Sequence, residues 1–175
     1  MNTIPIVLTN RSFLIIGAGD VALQKAKVLH RNNMAFSVVS KEINKEILNL
    51  AKSSKIKSFE VSDLQGFDVV INATGSASVT ATLLRVKKEQ NFLLNVVDAP
   101  EHCDFFFAAL LEYGRVKIAV SSSGASPTLA KKIRDKIAEF LPSGIKNLAE
   151  ESYKERKAGL IDSKEMIDKV EKLFS

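Results

Sequence analysis

Residues 13–22 read Phe13-Leu14-Ile15-Ile16-Gly17-Ala18-Gly19-Asp20-Val21-Ala22. Four apolar residues stopping at a glycine predict a short buried strand. Beyond the glycines, Val21, Ala22, Ala26, Leu29 and Asn33 recur at helical spacing, with Lys25, Lys27 and Arg31 between them. The stretch is therefore strand, tight turn, helix, with the turn in the G-x-G-x-x-G/A arrangement. Gly17 permits the turn, Gly19 lets the backbone approach a pyrophosphate, and Ala22 lets the helix pack closely on the strand. The helix start adds amide donors and the positive end of its dipole. Such a motif alone is a weak signal, but the strand before it and the helix after it point to a bound dinucleotide.

The pattern continues outward from this unit. Ala35 to Val39 reads as a second strand, and Glu42 to Ser53 as a helix with Ile43, Ile47 and Leu50 on one face. Ile56 to Val61 and Val69 to Ile71 read as strands, Val79 to Gln90 as a helix, and Phe92 to Val97 as a fifth strand. Continuous apolar strands separated by helices predict an α/β fold, a Rossmann-type parallel sheet covered on both faces. Then the pattern changes. Phe105 to Glu112 and Arg115 to Ser121 flank Tyr113 and Gly114, which predicts a hairpin. Ser126 is placed to cap a helix that starts at Pro127, with Leu129, Ile133, Ile137 and Leu141 on one apolar face. Pro142 and Gly144 end it. The tail from Ile145 to Ser175 is charged and helical, divided at Gly159, with Asp162 and Glu165 spaced as a capping box. The expected divisions are a Rossmann domain over 1–113, a hairpin and helix segment over 114–143 and a short helical C-terminal region over 144–175.

Composition narrows the functions. The chain has 175 residues, 46% hydrophobic and 26% charged, the mixture of an ordinary globular protein. Its longest fully apolar run, Phe105 to Leu111, is far short of the roughly 20 residues of a membrane span. No basic region followed by an apolar stretch and a cleavage site opens the chain, so no secretory signal is read. The one cysteine, Cys103, excludes an internal disulfide and fits a reducing, cytoplasmic setting. One cysteine and two histidines make a four-ligand zinc site unexpected, and no metal site is assigned. Lack of a nucleophile elbow argues further against hydrolysis. Most of the net charge of +5 falls within residues 115–145, around Lys131, Lys132, Arg134 and Lys136. That is either a solvated helix face or a surface for an anionic partner. Nucleic acid is a weak choice, because no aromatic residue interleaves the basic cluster.

At the end of the second strand, where a ribose-binding acid falls in this architecture, stand Ser40, Lys41 and Glu42. Glu42 could meet the ribose hydroxyls or simply favour a helix start by its charge, and Lys41 leaves a 2′-phosphate conceivable. Asn72, Ala73, Thr74 and Gly75 follow the fourth strand, and Thr74 is expected near the cofactor. Asn95-Val96-Val97-Asp98 ends the fifth strand at the same edge, so Asp98 reads either as a loop or capping aspartate before Pro100 or as the group that takes a proton while a hydride leaves. Glu101 and Asp104 compete with it, and His102 beside Cys103 reads more readily as structural.

Together these segments resemble the precorrin-2 dehydrogenase family, the NAD-dependent module of siroheme synthases. The resemblance rests on Ile4-Pro5-Ile6, on the turn from Gly17 to Ala22 with Lys25, and on Asn72-Ala73-Thr74. It continues through Asn95-Val96-Val97-Asp98 to Asp104-Phe105, then Ala119 to Pro127, Leu129-Ala130 and Arg134. It implies oxidation of precorrin-2 to sirohydrochlorin with NAD as acceptor, in a homodimer built through the hairpin and the helix after Pro127. It implies Asp98 as the catalytic aspartate, and Gly17, Gly19, Asp20, Val21, Lys41, Glu42 and Thr74 around the cofactor. Ser122, Ser126 and Lys131 are expected toward the tetrapyrrole, whose carboxylates the basic helix would attract. In some members the same cleft also inserts ferrous ion. Here the helical region after Gly144 is shorter than the cap of many relatives, which weakens the case for chelation more than for oxidation. Ala18 stands where the family usually has glycine. The rival readings are another NAD(P)-dependent oxidoreductase and a non-enzymatic module that senses NAD(H).

Overall fold

The computed structural model describes residues 7–160 and 162–175; Ile4-Pro5-Ile6 lies outside them. It falls into two compact units, one reaching Phe106 and the other running from Phe107 to Ser175.

The first unit is a five-stranded parallel sheet in the order β3-β2-β1-β4-β5. Strands β1 (Phe13–Ile16), β2 (Phe36–Ser40) and β4 (Val69–Asn72) are central, while β3 (Ser53–Ile56) and β5 (Leu93–Val96) are the edges. Helices α1 (Asp20–Arg31), α2 (Lys45–Leu50) and α3 (Ala77–Val86) connect them. All four residues of β1 and of β4 are buried, as a strand covered on both faces requires. Ile15, Val69, Val70, Ile71, Leu83 and Leu94 are fully buried. Register aligns Ile16 with Val39 on one side and with Asn72 on the other, and Asn72 with Val96. The carboxyl ends of β1, β2, β4 and β5 are therefore level. The expected Rossmann-type sheet is present.

The elements around β3 depart from expectation. The helix expected over Glu42 to Ser53 is only Lys45–Leu50, because the Asn44 side chain caps it by accepting from the Ile47 N–H. The Lys52 N–H then donates to the Phe36 carbonyl, drawing the chain into the sheet by Ser53. The third strand lies at 53–56 rather than 56–61. As an edge strand with every residue exposed it carries no apolar signature. Val61 instead opens a short 3-10 turn, Val61–Leu64, closed by reciprocal side-chain caps between Glu60 and Asp63. The fifth strand is shorter than expected, and α3 starts two residues earlier, at the cap Ser76.

In the second unit, β6 (Ala109–Tyr113) and β7 (Val116–Val120) form an antiparallel hairpin. Gly114 turns it at φ +62°, and the turn is tied down by Arg115. That guanidinium meets Glu150 at 3.0 Å and stacks 3.3 Å over the Tyr153 ring. Helix α4 (Pro127–Phe140) packs on both strands; α5 (Ile145–Lys157) and α6 (Ser163–Phe174) follow. Ala130 is its buried residue, whereas Leu129, Ile133 and Phe140 are exposed, so the expected apolar face is not simply a core face. At α6 the expected capping box is half formed: the Asp162 side chain accepts from Lys164 and Glu165 N–H groups, and the Glu165 carboxylate meets Lys169. Among the described residues no helix is long and apolar enough to cross a membrane.

Candidate dinucleotide and proton-transfer site

The site is built at the carboxyl edge of the sheet, where β1 and β4 lie side by side while their connections leave in opposite directions. Gly17 extends β1 by one residue, donating its N–H to the Val39 carbonyl at 2.9 Å. Its φ of +99° belongs to glycine, and a Cβ there would stand 2.6 Å from the Ala73 carbonyl oxygen. Gly17 thus serves two needs: a left-handed backbone and close passage past the end of β4. Gly19 differs. Its φ is −77°, and an added Cβ would meet nothing within 4 Å. It is the N-cap of α1 and has no side chain to satisfy the first-turn amides. The space over Gly19 is open, and uncapped first-turn amides are the kind of donors a pyrophosphate would need. Ala22 is fully buried, as close helix-to-strand packing demands. Asp20 and Val21 are exposed at the helix start.

Asn72, which is 1% exposed, organises the adjoining turn. Its Oδ1 accepts from the Thr74 hydroxyl at 2.7 Å and the Thr74 N–H at 3.2 Å, and its Nδ2 donates to Thr80 Oγ1 at 2.9 Å. Its backbone carbonyl accepts from the Val97 N–H at 3.0 Å. The buried amide therefore fixes the Thr74 turn, and the backbone carbonyl of the same residue holds the exit of β5. Asn72 appeared in the sequence reading only as a neighbour of Thr74. The readable signal was an amide ending an otherwise apolar strand, with threonines two and eight residues on. Lys41 and Glu42 are exposed beyond β2.

Asp98 lies two residues past β5, exposed and with φ +67°. Asparagine and aspartate tolerate this left-handed conformation better than other side-chain-bearing residues. Level strand ends with one strand between put the β5 exit roughly 10 Å from the β1 exit. A carboxylate is thus presented at the same edge as the glycine turn. The rival acids separate from it: Asp104 is bonded to Leu94 and Lys87, and Glu101 lies 3.8 Å from His102. Burial pushes the Cys103 thiol above its ordinary range, against the hydrogen bond from the Val96 N–H.

The remaining candidates lie in the second unit. The Ser122 hydroxyl accepts from the Ser126 N–H at 2.9 Å and donates to the Ser126 carbonyl at 3.0 Å. Ser126 Oγ caps α4, accepting from the Leu129 N–H. Both hydroxyls shape the loop, and Ser123 and Gly124 between them take positive φ. Lys131 is exposed on α4. Arg134 and Lys136 are partly neutralised by Asp135 and Glu139. Among the described residues no group of three metal-binding side chains occurs. An open hollow of about 610 Å³ lies at the opposite, amino edge of the sheet, lined by residues such as Phe67, Gln90 and Phe92. It contains none of the candidate residues.

A family model described as "Putative NAD(P)-binding" matches residues 4–109, and one described as "Sirohaem biosynthesis protein central" matches residues 114–139. Siroheme synthase of Methylococcus capsulatus is 36% identical over 155 residues, covering 85% of this chain and 33% of its own. Siroheme synthase of Ectopseudomonas mendocina is 38% identical over 144 residues, covering 81% and 31%. The chain spans about a third of the length of these curated relatives. A solved structure of SirC, precorrin-2 dehydrogenase, superimposes with a TM-score of 0.72 at 21% identity, covering 100% of this chain and 90% of that one. The glycine turn, the level sheet edge and the match over residues 4–109 agree: the chain belongs to the NAD(P)-binding family whose relatives include the siroheme synthases.

Proposed function

We propose that the chain is an NAD-dependent precorrin-2 dehydrogenase, oxidising precorrin-2 to sirohydrochlorin on the way to siroheme. The observation that carries this reading is the presentation of Asp98 at the sheet edge that also holds the Gly17–Gly19 turn. The siroheme synthase relatives and the dehydrogenase of like fold support the substrate class.

The residues present fit a nicotinamide dinucleotide. Gly19 and the α1 amides would hold the diphosphate, Asp20 and Val21 would flank it, and Thr74 would line the approach. Glu42 would accept from ribose hydroxyls, which favours NAD over NADP, with Lys41 beside it. The bound nicotinamide supplies a hydride acceptor. Oxidation removes two hydrogens from the tetrapyrrole, one as that hydride and one as a proton. Asp98 takes the proton on its carboxylate, and water can relieve it because the side chain is exposed. Ser122, Ser126 and Lys131 would face the substrate's carboxylates, the charge of α4 acting partly by steering. The working unit is a homodimer formed through the second unit. Ferrous ion, where it enters, is a further substrate of the same cleft.

Incubation with precorrin-2 and NAD should yield sirohydrochlorin and NADH in equal amounts, read from their absorbance, with NADP a poorer acceptor. Asp98→Asn keeps the left-handed backbone acceptable and removes the base. It should lower turnover by about a hundredfold or more while NADH still binds. Turnover equal to the parent chain excludes Asp98 as the proton acceptor. A parent chain that binds NADH but leaves precorrin-2 unchanged excludes the dehydrogenase.

A further inference from the structure

Strand β5 is an edge of the sheet, so half of its backbone groups have no neighbouring strand to bond. On its inner side the ladder to β4 is continued at both ends: the Leu93 N–H donates to the Asp68 carbonyl and the Val97 N–H to the Asn72 carbonyl. Alternate residues, Leu94 and Val96, turn their groups outward. The chain returning from Asp98 meets these outward groups one by one. Leu94 N–H donates to Asp104 Oδ2 at 2.7 Å, and Asp104 N–H donates to the Leu94 carbonyl at 2.8 Å. Val96 N–H donates to Cys103 Sγ at 3.2 Å, and the thiol donates to the Val96 carbonyl at 3.2 Å. Asn95 Nδ2 donates to the Phe105 carbonyl at 2.9 Å. The second Asp104 oxygen, Oδ1, pairs with Lys87 at the end of α3. The segment from Val97 to His102, with Asp98 near its start, is therefore a loop buckled shut at its base. Between the buckle and the strand, Asp98 holds a positive φ that a side-chain-bearing residue keeps only where the surrounding structure over-determines it.

We infer that Asp104 is a positioning residue for Asp98: by fastening the loop base to β5 and to Lys87, its carboxylate sets where the Asp98 carboxylate stands. The role rests on the dehydrogenase reading above and deepens it. Asp104 has both oxygens engaged, which explains why the nearby second aspartate is not the one left to accept a proton. Loss of the buckle frees the loop without touching the glycine turn, 80 and more residues earlier in sequence and two strands away. Misplacement of a reacting group should lower kcat and spare cofactor binding.

The test uses the full chain and three variants, Asp104→Ala, Asp104→Asn and Lys87→Met, assayed with precorrin-2 and NAD. D104A should lose about 10- to 100-fold in kcat, with the NADH dissociation constant and the KM for NAD unchanged. D104N keeps an acceptor oxygen for the Leu94 N–H and should recover most of that loss. K87M, which leaves the Leu94 bond in place, should fall between D104A and the parent chain. A D104A kcat equal to the parent overturns the inference while leaving the dehydrogenase intact. Parallel loss of kcat, NADH affinity and melting temperature, unrelieved in D104N, makes Asp104 a general fold residue and also overturns it. A parent chain without turnover removes the reaction itself, and the positioning role with it.

Discussion

Two glycines two residues apart do different work. At Gly17 the backbone is left-handed and the Ala73 carbonyl occupies the place of a Cβ. At Gly19 the backbone is ordinary and the space is open. Gly17→Ala must therefore strain the backbone and push the end of β4 away, a cost of about 1–3 kcal/mol. Gly19→Ala should change stability by less than about 0.5 kcal/mol but put a methyl where a diphosphate approaches. Urea unfolding and NADH fluorescence titration separate the two. G17A should unfold at lower urea; G19A should unfold like the parent while binding NADH about tenfold more weakly or worse. Equal NADH affinity in G19A and the parent removes the diphosphate from this turn. The sequence motif named both glycines, but which one yields to β4 and which keeps open space depends on a neighbour 56 residues away.

Within the sheet, the buried strands were readable and the exposed edge strand β3 was not, whereas the exposed helices α5 and α6 were legible from Gly159 and the Asp162 cap. β1 is apolar throughout and β4 is apolar up to Asn72, and both fall where the sequence placed them, to within a residue. β3 is all polar or exposed, and its place is decided by backbone bonds to β2 and by the Asn44 cap. Of the candidate site, the glycine turn and the Asn72–Thr74 segment were readable from local pattern. The buckle at Asp104 was not, because it joins residues across a loop to the side of an edge strand. The misplaced region also carries the clearest pH dependence. Asp63 is buried, which pushes its carboxyl up, but bonds from Lys55, the Glu60 N–H and Lys57 outweigh burial and hold it below the ordinary range. Asp68 is likewise held low, by the Ser12 N–H and hydroxyl, against burial. A carboxyl whose folded pKa lies below its unfolded one stabilises above the unfolded value, about 3.9. That stability is lost as pH falls through the folded value. The urea midpoint should be insensitive to these groups above about pH 5 and drop below about pH 4. Asp63→Asn should cost about 1–2 kcal/mol at neutral pH and make the acid decline shallower. An unchanged acid decline in D63N assigns it to other carboxyls.

At the scale of the molecule, the exposed apolar face of α4 is the feature a lone copy leaves unexplained. Leu129, Ile133 and Phe140 are 51%, 43% and 78% exposed, although they lie on a helix that packs on the hairpin. Their spacing of four and seven residues sets them along one stripe. Covering a large apolar side chain contributes about 1.5–3 kcal/mol, so a second copy laying the same stripe across this one gains several kcal/mol before the cost of association. A two-fold pairing meets the need with one patch, because the surface is then its own partner. The proposed homodimer accordingly predicts twice the chain mass by light scattering at micromolar concentration. Ile133→Glu with Phe140→Asp places two charges in that stripe without touching Ala130, the buried residue of α4. The double variant should run as a folded monomer with parent-like circular dichroism and NADH affinity, since the glycine turn belongs to the other unit. If tetrapyrrole turnover falls with the mass while NADH still binds, the substrate side of the site depends on the pairing. A parent chain of single mass at these concentrations takes the dimer out of the proposal, and a double variant of unchanged mass moves the interface off α4.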